Sequence, residues 1–403
     1  MRITLTHGQI YQDRPDPTQK QWMVQPDGTV IMDDGRITAV GPTKQLLASE
    51  RNLGTVVDVE GRAVVPGFID CHTHLPFAGW RADEYLERLS GVSYESLSQK
   101  KRGIARSSQQ WADATDAEIL ALTKTLAHEA LAWGTTVLEM KTGYGLTLEQ
   151  ELRSLRLIGQ LMDQLPQRIL ATGLFLHALP ISGTKSEWLD IVRTRLLPEA
   201  IATGYLSAVD AFVERTAYQP DEVEWALESL PAHIPIRLHT NQFTQIGGIQ
   251  LGVRLNARAV EHLECLSSDE MDLMAEHHMA AVVMPGAAFY GGAHGRAPAR
   301  AILDRGIRLA LATDLNPGSS PIGNLPTVVG LAVNLLDMTP DEALTAITRD
   351  AAYVLGLEKT YGAILSGYGA NLVILDSDSI AHIPYRLGHN PVHRVLIDGQ
   401  FMG

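Results

Sequence analysis

The sequence predicts an α/β fold: a (β/α)8 TIM-type barrel with a small β-sandwich formed by the N- and C-terminal segments. Three observations predict it. Short apolar runs alternate with long helical stretches through the middle of the chain. Strand-rich segments stand at both ends. The apolar runs recur often enough for about six to eight βα units, which favours a closed barrel over an open sheet. The expected division gives residues 1–62 and 360–403 to the composite sandwich and 63–359 to the barrel. A chain of 403 residues is long enough for both without disulfide or metal staples.

Taken in order, Thr29–Met32 and Ile37–Gly41 read as two strands, with Asp34-Gly35 as the hairpin turn between them. Val56–Val59 and Ala63–Val65 continue the strand pattern around Glu60-Gly61. After Pro66-Gly67 the period changes. Helical stretches at 116–133 and 148–164 precede apolar runs at 138–140 and 169–175. Further runs at 208–213, 236–238, 259–260, 281–283 and 308–312 supply the remaining barrel strands. Strand character returns at 370–375 and 392–397.

Composition excludes several classes. Lys and Arg total 33 against 46 Asp and Glu, a formal net charge of −13. A surface that acidic repels phosphate backbones, so no nucleic-acid partner is expected. No apolar run approaches the ~18 residues of a membrane span, and Met1–Ile10 has no apolar core of a secretion signal. Cys71 and Cys265 form no framework, so the expected compartment is the reducing cytoplasm.

The sharpest chemical signal is Asp70-Cys71-His72-Thr73-His74, directly after the apolar strand Val64–Ile69. In extended chain, residues i and i+2 point to one side. His72 and His74 can therefore offer two imidazoles to one ion, while Cys71 points the other way as a packed thiol. An isolated pair of this kind is as readily a surface feature. Its place at the end of a barrel strand, where barrel enzymes keep their reacting groups, favours the ligand reading. Later strands end in His239, His262 and Asp314. Each is weak alone, but together these nitrogen and oxygen donors suit a metal-dependent hydrolase with an open position for water.

On these residues the chain resembles the amidohydrolase superfamily and, more closely, the imidazolonepropionase family. Four stretches carry the resemblance: HTHLPFAGWR at His72–Arg81, KTGYGL at Lys141–Leu146, PGAAFY at Pro285–Tyr290 and ATDLNPGSSP at Ala312–Pro321. The resemblance implies one divalent or trivalent ion per chain, Zn or Fe, held by His72, His74, His239 and Asp314. It implies that Arg81 clamps the substrate's propionate, a task suited to a guanidinium fork. Tyr94, Tyr144 and His177 are implied substrate contacts, and Asn316, Gly318 and Ser319 the loop at the other end of the substrate. The implied reaction is hydrolysis of the cyclic amide C–N bond of 4-imidazolone-5-propanoate to N-formimino-L-glutamate, in histidine degradation. Asp314 would shuttle the proton and His262 would polarise the carbonyl under attack. The expected partner is thus a small anionic heterocycle, with no membrane involved and a homodimer left open.

Two segments depart from the family pattern. After His239 the chain reads Thr240-Asn241-Gln242, where the familiar pattern is His-Ala-Asp-Glu. Gln242 can hold a ring N–H through its amide oxygen but cannot take a proton, so a catalytic role for it is confined to holding the substrate. The basic Lys100–Gly103 turn is read as solvated rather than as part of the site. Lys141 sits where relatives with two metals carry a carbamylated lysine, but its KTGYGL setting favours a supporting role. A deaminase of another heterocycle is the alternative on the same scaffold, and a catalytically inactive scaffold is a third reading.

Overall fold

The computed structural model describes residues 1–12, 21–90, 102–291 and 295–403. Eight strands form an all-parallel sheet in which each strand pairs with the next along the chain. They are β6 (Phe68–Asp70), β7 (Thr135–Lys141), β8 (Arg168–Leu176), β9 (Leu206–Val213), β10 (Ile236–Thr240), β11 (Ala259–His262), β12 (Ala280–Val283) and β13 (Leu309–Leu311). Helices fill most of the intervals between them, as the alternation predicts. Asp116–Ala132 and Leu148–Gln164 both start where expected. Thr115 and Glu118 cap the first reciprocally, and Thr147 caps the second.

The two ends of the sheet meet just beyond β6 and β13. Asp314 N donates to His72 O at 3.0 Å and His74 N donates to Leu315 O at 2.9 Å. Asp70 strengthens the seam, accepting from Thr313 Oγ1 at 2.6 Å and Thr313 N at 3.2 Å. The barrel therefore joins at its C-terminal mouth, through the same residues that carry His72, His74 and Asp314.

The remaining strands come from both termini and form one eight-stranded sheet. They are β1 (Ile3–Gln12), β2 (Met23–Asp33), β3 (Arg36–Pro42), β4 (Thr55–Asp58), β5 (Ala63–Pro66), β14 (Leu372–Leu375), β15 (Val392–Ile397) and β16 (Gln400–Phe401). The order is β16-β15-β14-β5-β1-β2-β3, with β4 beside β1. Asp34 and Gly35 have φ of 46° and 78°, the left-handed pair that a two-residue hairpin needs.

Here the sequence reading needs one correction. The apolar run Val64–Ile69 is not a single strand. It breaks at Gly67, leaving β5 in the terminal sheet and β6 in the barrel. Gly67 lies so close to Thr136 that any Cβ would run into that side chain. The terminal sheet thus includes Ala63–Pro66, residues expected in the barrel. Among the described residues, no helix is long and apolar enough to cross a membrane.

Candidate active site

His72, His74, His239, His262 and Asp314 converge at the C-terminal mouth of the barrel, each 4% exposed or less. His72 and His74 lie just past β6, their register set by the backbone bonds to 314–315. His239 ends in β10, His262 closes β11, and Asp314 follows β13. His262, Leu263 and Asp314 all take positive φ, at 79°, 73° and 52°. Backbone held in that region by a surrounding fold marks sites where side-chain placement matters.

The donor atoms face one another. His74 Nε2 lies 3.4 Å from His72 Nε2, 3.4 Å from His239 Nε2 and 3.1 Å from Asp314 Oδ1. His72 Nε2 is 3.4 Å from the same Asp314 oxygen. Asp314 Oδ1 is buried and has no hydrogen bond among the described residues. Lone pairs packed this way repel unless a cation sits between them. The electrostatics agree. Burial disfavours the His72 imidazolium, yet Glu261 and Asp314 outweigh it and lift the ring to about 9. Burial also opposes the Asp314 charge, yet His72 and His74 hold that carboxyl well below the usual range. Burial lowers the other two ligand rings, His74 and, to about 3, His239, so both offer bare nitrogens, and three nitrogens with one oxygen are a donor set suited to a borderline divalent ion. His262 completes a second close grouping with His72 and His239. Its ring centroid lies 5.2 Å from that of His239.

The expected ring contacts stand beside this cluster. His177 stacks on His74 with centroids 5.0 Å apart, and Tyr144 meets His177 edge-on at 5.5 Å. The Gly143 carbonyl accepts from His177 Nδ1 at 2.9 Å, which leaves Nε2 as the acceptor. Burial, then the neighbouring His74 and His239, keeps this ring neutral, well below its ordinary value. The loop bearing Tyr144 is fastened by Glu151, which accepts from Gly143 N at 2.9 Å and Leu146 N at 2.8 Å.

Arg81 is 3% exposed. Its Nη1 donates to Gly103 O at 2.7 Å and Ser107 Oγ at 2.6 Å, and Nε lies 3.3 Å from Glu84 Oε2. Its guanidinium packs directly on Gly318. The Asn316 amide is engaged inside its own loop. Its oxygen accepts from Gly318 N, Ser319 N and Ser319 Oγ, and its Nδ2 donates to the Asp314 carbonyl. Asn316 therefore shapes the loop, and Gly318 and Ser319 are placed by it. Gln242 is half-buried in the loop after β10. Glu214 anchors that loop by accepting from Phe243 N at 3.0 Å and Thr244 N at 3.1 Å. Tyr94, Lys100 and Lys101 lie outside the described residues. Arg102 pairs with Glu87 near the surface, whereas Gly103 of the same turn is buried, its carbonyl accepting from Arg81 and its N–H donating to Glu84.

Of the charged groups under the cluster, sequence reasoning singled out Lys141 as a supporting residue and missed the other four. Glu139, Lys141, Asp210, Arg237 and Glu261 are all 1% exposed or less. Lys141 Nζ reaches Glu139 Oε1 at 2.9 Å, Asp210 Oδ2 at 3.0 Å and Glu261 Oε2 at 3.5 Å. Glu261 Oε2 is 2.7 Å from His72 Nδ1 and Asp210 Oδ2 is 2.9 Å from His239 Nδ1, both off the ring N–H axis. Arg237 Nη2 donates to Glu139 Oε1 at 2.7 Å, and Nη1 donates to the Cys71 carbonyl at 3.1 Å. The available signal was a set of charged residues inside runs otherwise apolar enough to be buried strands. Asp210, His239 and Glu261 form a third grouping compact enough for an ion. The Lys141 ammonium already neutralises two of its three members.

Residues 63–402 match the Amidohydrolase family. The imidazolonepropionase of Flavobacterium johnsoniae is 36% identical over 377 residues, covering 93% of this chain and 91% of that protein. That of Sphingopyxis alaskensis is 37% identical, with 93% and 92% covered. That of Xanthomonas oryzae pv. oryzae is 36% identical, with 93% of each covered. Among solved structures, a zinc-bound adenosine deaminase from Xanthomonas campestris superposes with a TM-score of 0.72 at 19% identity, over 99% of this chain and 92% of that one. A 5-methylcytosine deaminase from Klebsiella pneumoniae gives 0.76 at 14%, over 99% and 97%. At such identities these two establish the fold alone. By family and by its full-length relatives, the chain belongs to the amidohydrolases, within their imidazolonepropionase branch.

Proposed function

We propose that this chain hydrolyses the cyclic amide C–N bond of 4-imidazolone-5-propanoate, giving N-formimino-L-glutamate. One observation carries the hydrolase reading: the buried convergence of three imidazole nitrogens and a carboxylate oxygen at the barrel mouth. The choice of substrate rests on the names of the relatives.

His72, His74, His239 and Asp314 would hold the ion, which when bound makes water a nucleophile near neutral pH and polarises a carbonyl. The chain's own residues do the rest. Tyr144 and His177 offer a ring-sized surface beside His74, with His177 Nε2 as acceptor for a ring N–H. Arg81, against Gly318, supplies a buried cation for the propionate, which explains how an acidic protein takes an anionic substrate. His262 is near enough to the cluster to stabilise negative charge growing on the attacked oxygen. Asp314 is the remaining group able to carry the water proton to the leaving nitrogen, because Gln242 cannot. The intact donor set speaks against an inactive scaffold. Cys71 and Cys265 are unpaired, which suits the cytoplasm.

The test is to supply freshly generated imidazolone propionate to zinc- or iron-loaded protein and identify the product by mass. Formiminoglutamate is the expected product. No turnover by fully loaded protein removes the substrate assignment and leaves the family alone.

A further inference from the structure

A barrel interior is ordinarily filled by Val, Ile and Leu. Beneath the ligand cluster this one instead holds Glu139, Lys141, Asp210, Arg237 and Glu261, all buried. Fixing so many charges out of water is strongly unfavourable unless each is closely paired. A layer this costly calls for a task.

We propose that this layer fixes the tautomer of His72 and His239, so that each ring presents a bare Nε2 to the ion. The inference rests on the four-ligand reading of the site and not on the substrate. A carboxylate can only accept a hydrogen bond. Glu261 Oε2 at 2.7 Å from His72 Nδ1, and Asp210 Oδ2 at 2.9 Å from His239 Nδ1, lie off the ring N–H axis, but at these distances a bare Nδ1 would set its lone pair against a carboxylate, so the ring proton belongs on Nδ1. In the neutral ring, Nε2 then keeps its lone pair.

Lys141 ties the two supports together. One ammonium lies 3.0 Å from Asp210 Oδ2 and 3.5 Å from Glu261 Oε2, with Glu139 Oε1 as its third partner at 2.9 Å. Three partners match the three N–H donors of a lysine. Arg237 works from the other side. It pairs with Glu139, holds the Cys71 carbonyl next to His72, and lies 3.8 Å from Glu261 Oε1. Glu139 in turn accepts from Thr73 N at 3.1 Å, between the two ligand histidines. Lys141 thus acts as a positioning cation. A carbamate at its tip would replace that cation with an anion facing three carboxylates.

Asp210→Asn tests this sharply. Asp210 Oδ2 meets both Lys141 Nζ and His239 Nδ1, while Oδ1 accepts from His239 N at 3.3 Å. Either way round, an amide there points its NH2 at another donor. The His239 proton is then pushed to Nε2, where it competes with the ion. Glu261→Gln should act the same way on His72. The measurement is zinc withdrawal from the loaded full-length chain by a competing chelator, with circular dichroism confirming the fold. Each variant should bind zinc about 10- to 100-fold more weakly. Nitrogen-15 spectra of labelled histidines in the zinc-loaded chain should show Nδ1–H on both rings in wild type. In each variant one of those protons should be displaced. Zinc affinity within twofold of wild type in both folded variants would overturn the inference. So would an Nε2–H tautomer at either ring of wild type, a result that needs no variant to fold. A wild type that takes up no zinc would instead fell the ligand reading, and the inference with it.

Discussion

Gly318 and the Arg81 guanidinium are in direct contact: a Cβ on Gly318 would stand 2.5 Å from both Cζ and Nε of Arg81. The absence of a side chain at 318 is what lets the guanidinium lie flat against the 316–319 loop. The same loop is set by Asn316 and joined to Asp314 through the Asn316 Nδ2 bond at 2.7 Å. Arg81 and Asp314 are therefore joined through one loop.

Arg81→Met should lower kcat/KM about 10- to 100-fold, mostly through KM, because a lost charge-assisted bond is worth roughly 1.5–3 kcal/mol. Gly318→Ala should shift KM in the same direction while Arg81 is still present, because it displaces the guanidinium. Steady-state kinetics of the two variants check this. Unchanged KM in Gly318→Ala would show that the Arg81 position is irrelevant to binding.

Asp314→Asn should cost at least about 100-fold in kcat, because it removes a ligand and the proton carrier together. Gln242→Glu should stay folded and at least partly active, since it changes little volume in a half-buried loop that Glu214 already anchors. Its pH–rate profile should gain an ionisation that wild type lacks. If Gln242→Ala proves as damaging as Asp314→Asn, a holding role for Gln242 is too small.

Burial raises the Glu151 carboxyl above its usual range, against the hydrogen bonds it accepts from the 142–146 loop. The folded state therefore keeps this proton to a higher pH than the unfolded state does. Above the unfolded carboxylate range, the group's contribution to stability falls as pH rises through its folded value. Glu151→Gln should flatten that part of the curve. The variant should also lose about 1–3 kcal/mol, because its NH2 faces a backbone donor. Melting temperatures of wild type and variant across the acid-to-neutral range test the sign. A variant curve parallel to wild type would contradict it.

The βα alternation and the ligand set were legible because both rest on local pattern: strand runs at regular intervals, and histidines or an aspartate where those runs stop. The break at Gly67 was not legible. Val64–Ile69 is uniformly apolar, and the division shows only in tertiary pairing, β5 with β14 and β6 with β7, while the closeness of Thr136 leaves no room for a side chain at 67. The charged layer was missed for a related reason. Asp210 and Glu261 look like isolated polar residues in apolar runs, and only the barrel's curvature brings them against Lys141. Asn316 was placed in the loop at the other end of the substrate; its amide oxygen is taken up by its own turn, and Nδ2 donates one bond to the Asp314 carbonyl.

The central claim is that His72, His74, His239 and Asp314 hold one ion. Elemental analysis of the purified full-length chain, set against protein concentration, measures it most directly. One zinc or iron per chain is expected, falling to near zero in His72→Ala and His74→Ala. Two ions per chain would contradict it, because a second ion would have to displace the Lys141 ammonium from among Glu139, Asp210 and Glu261.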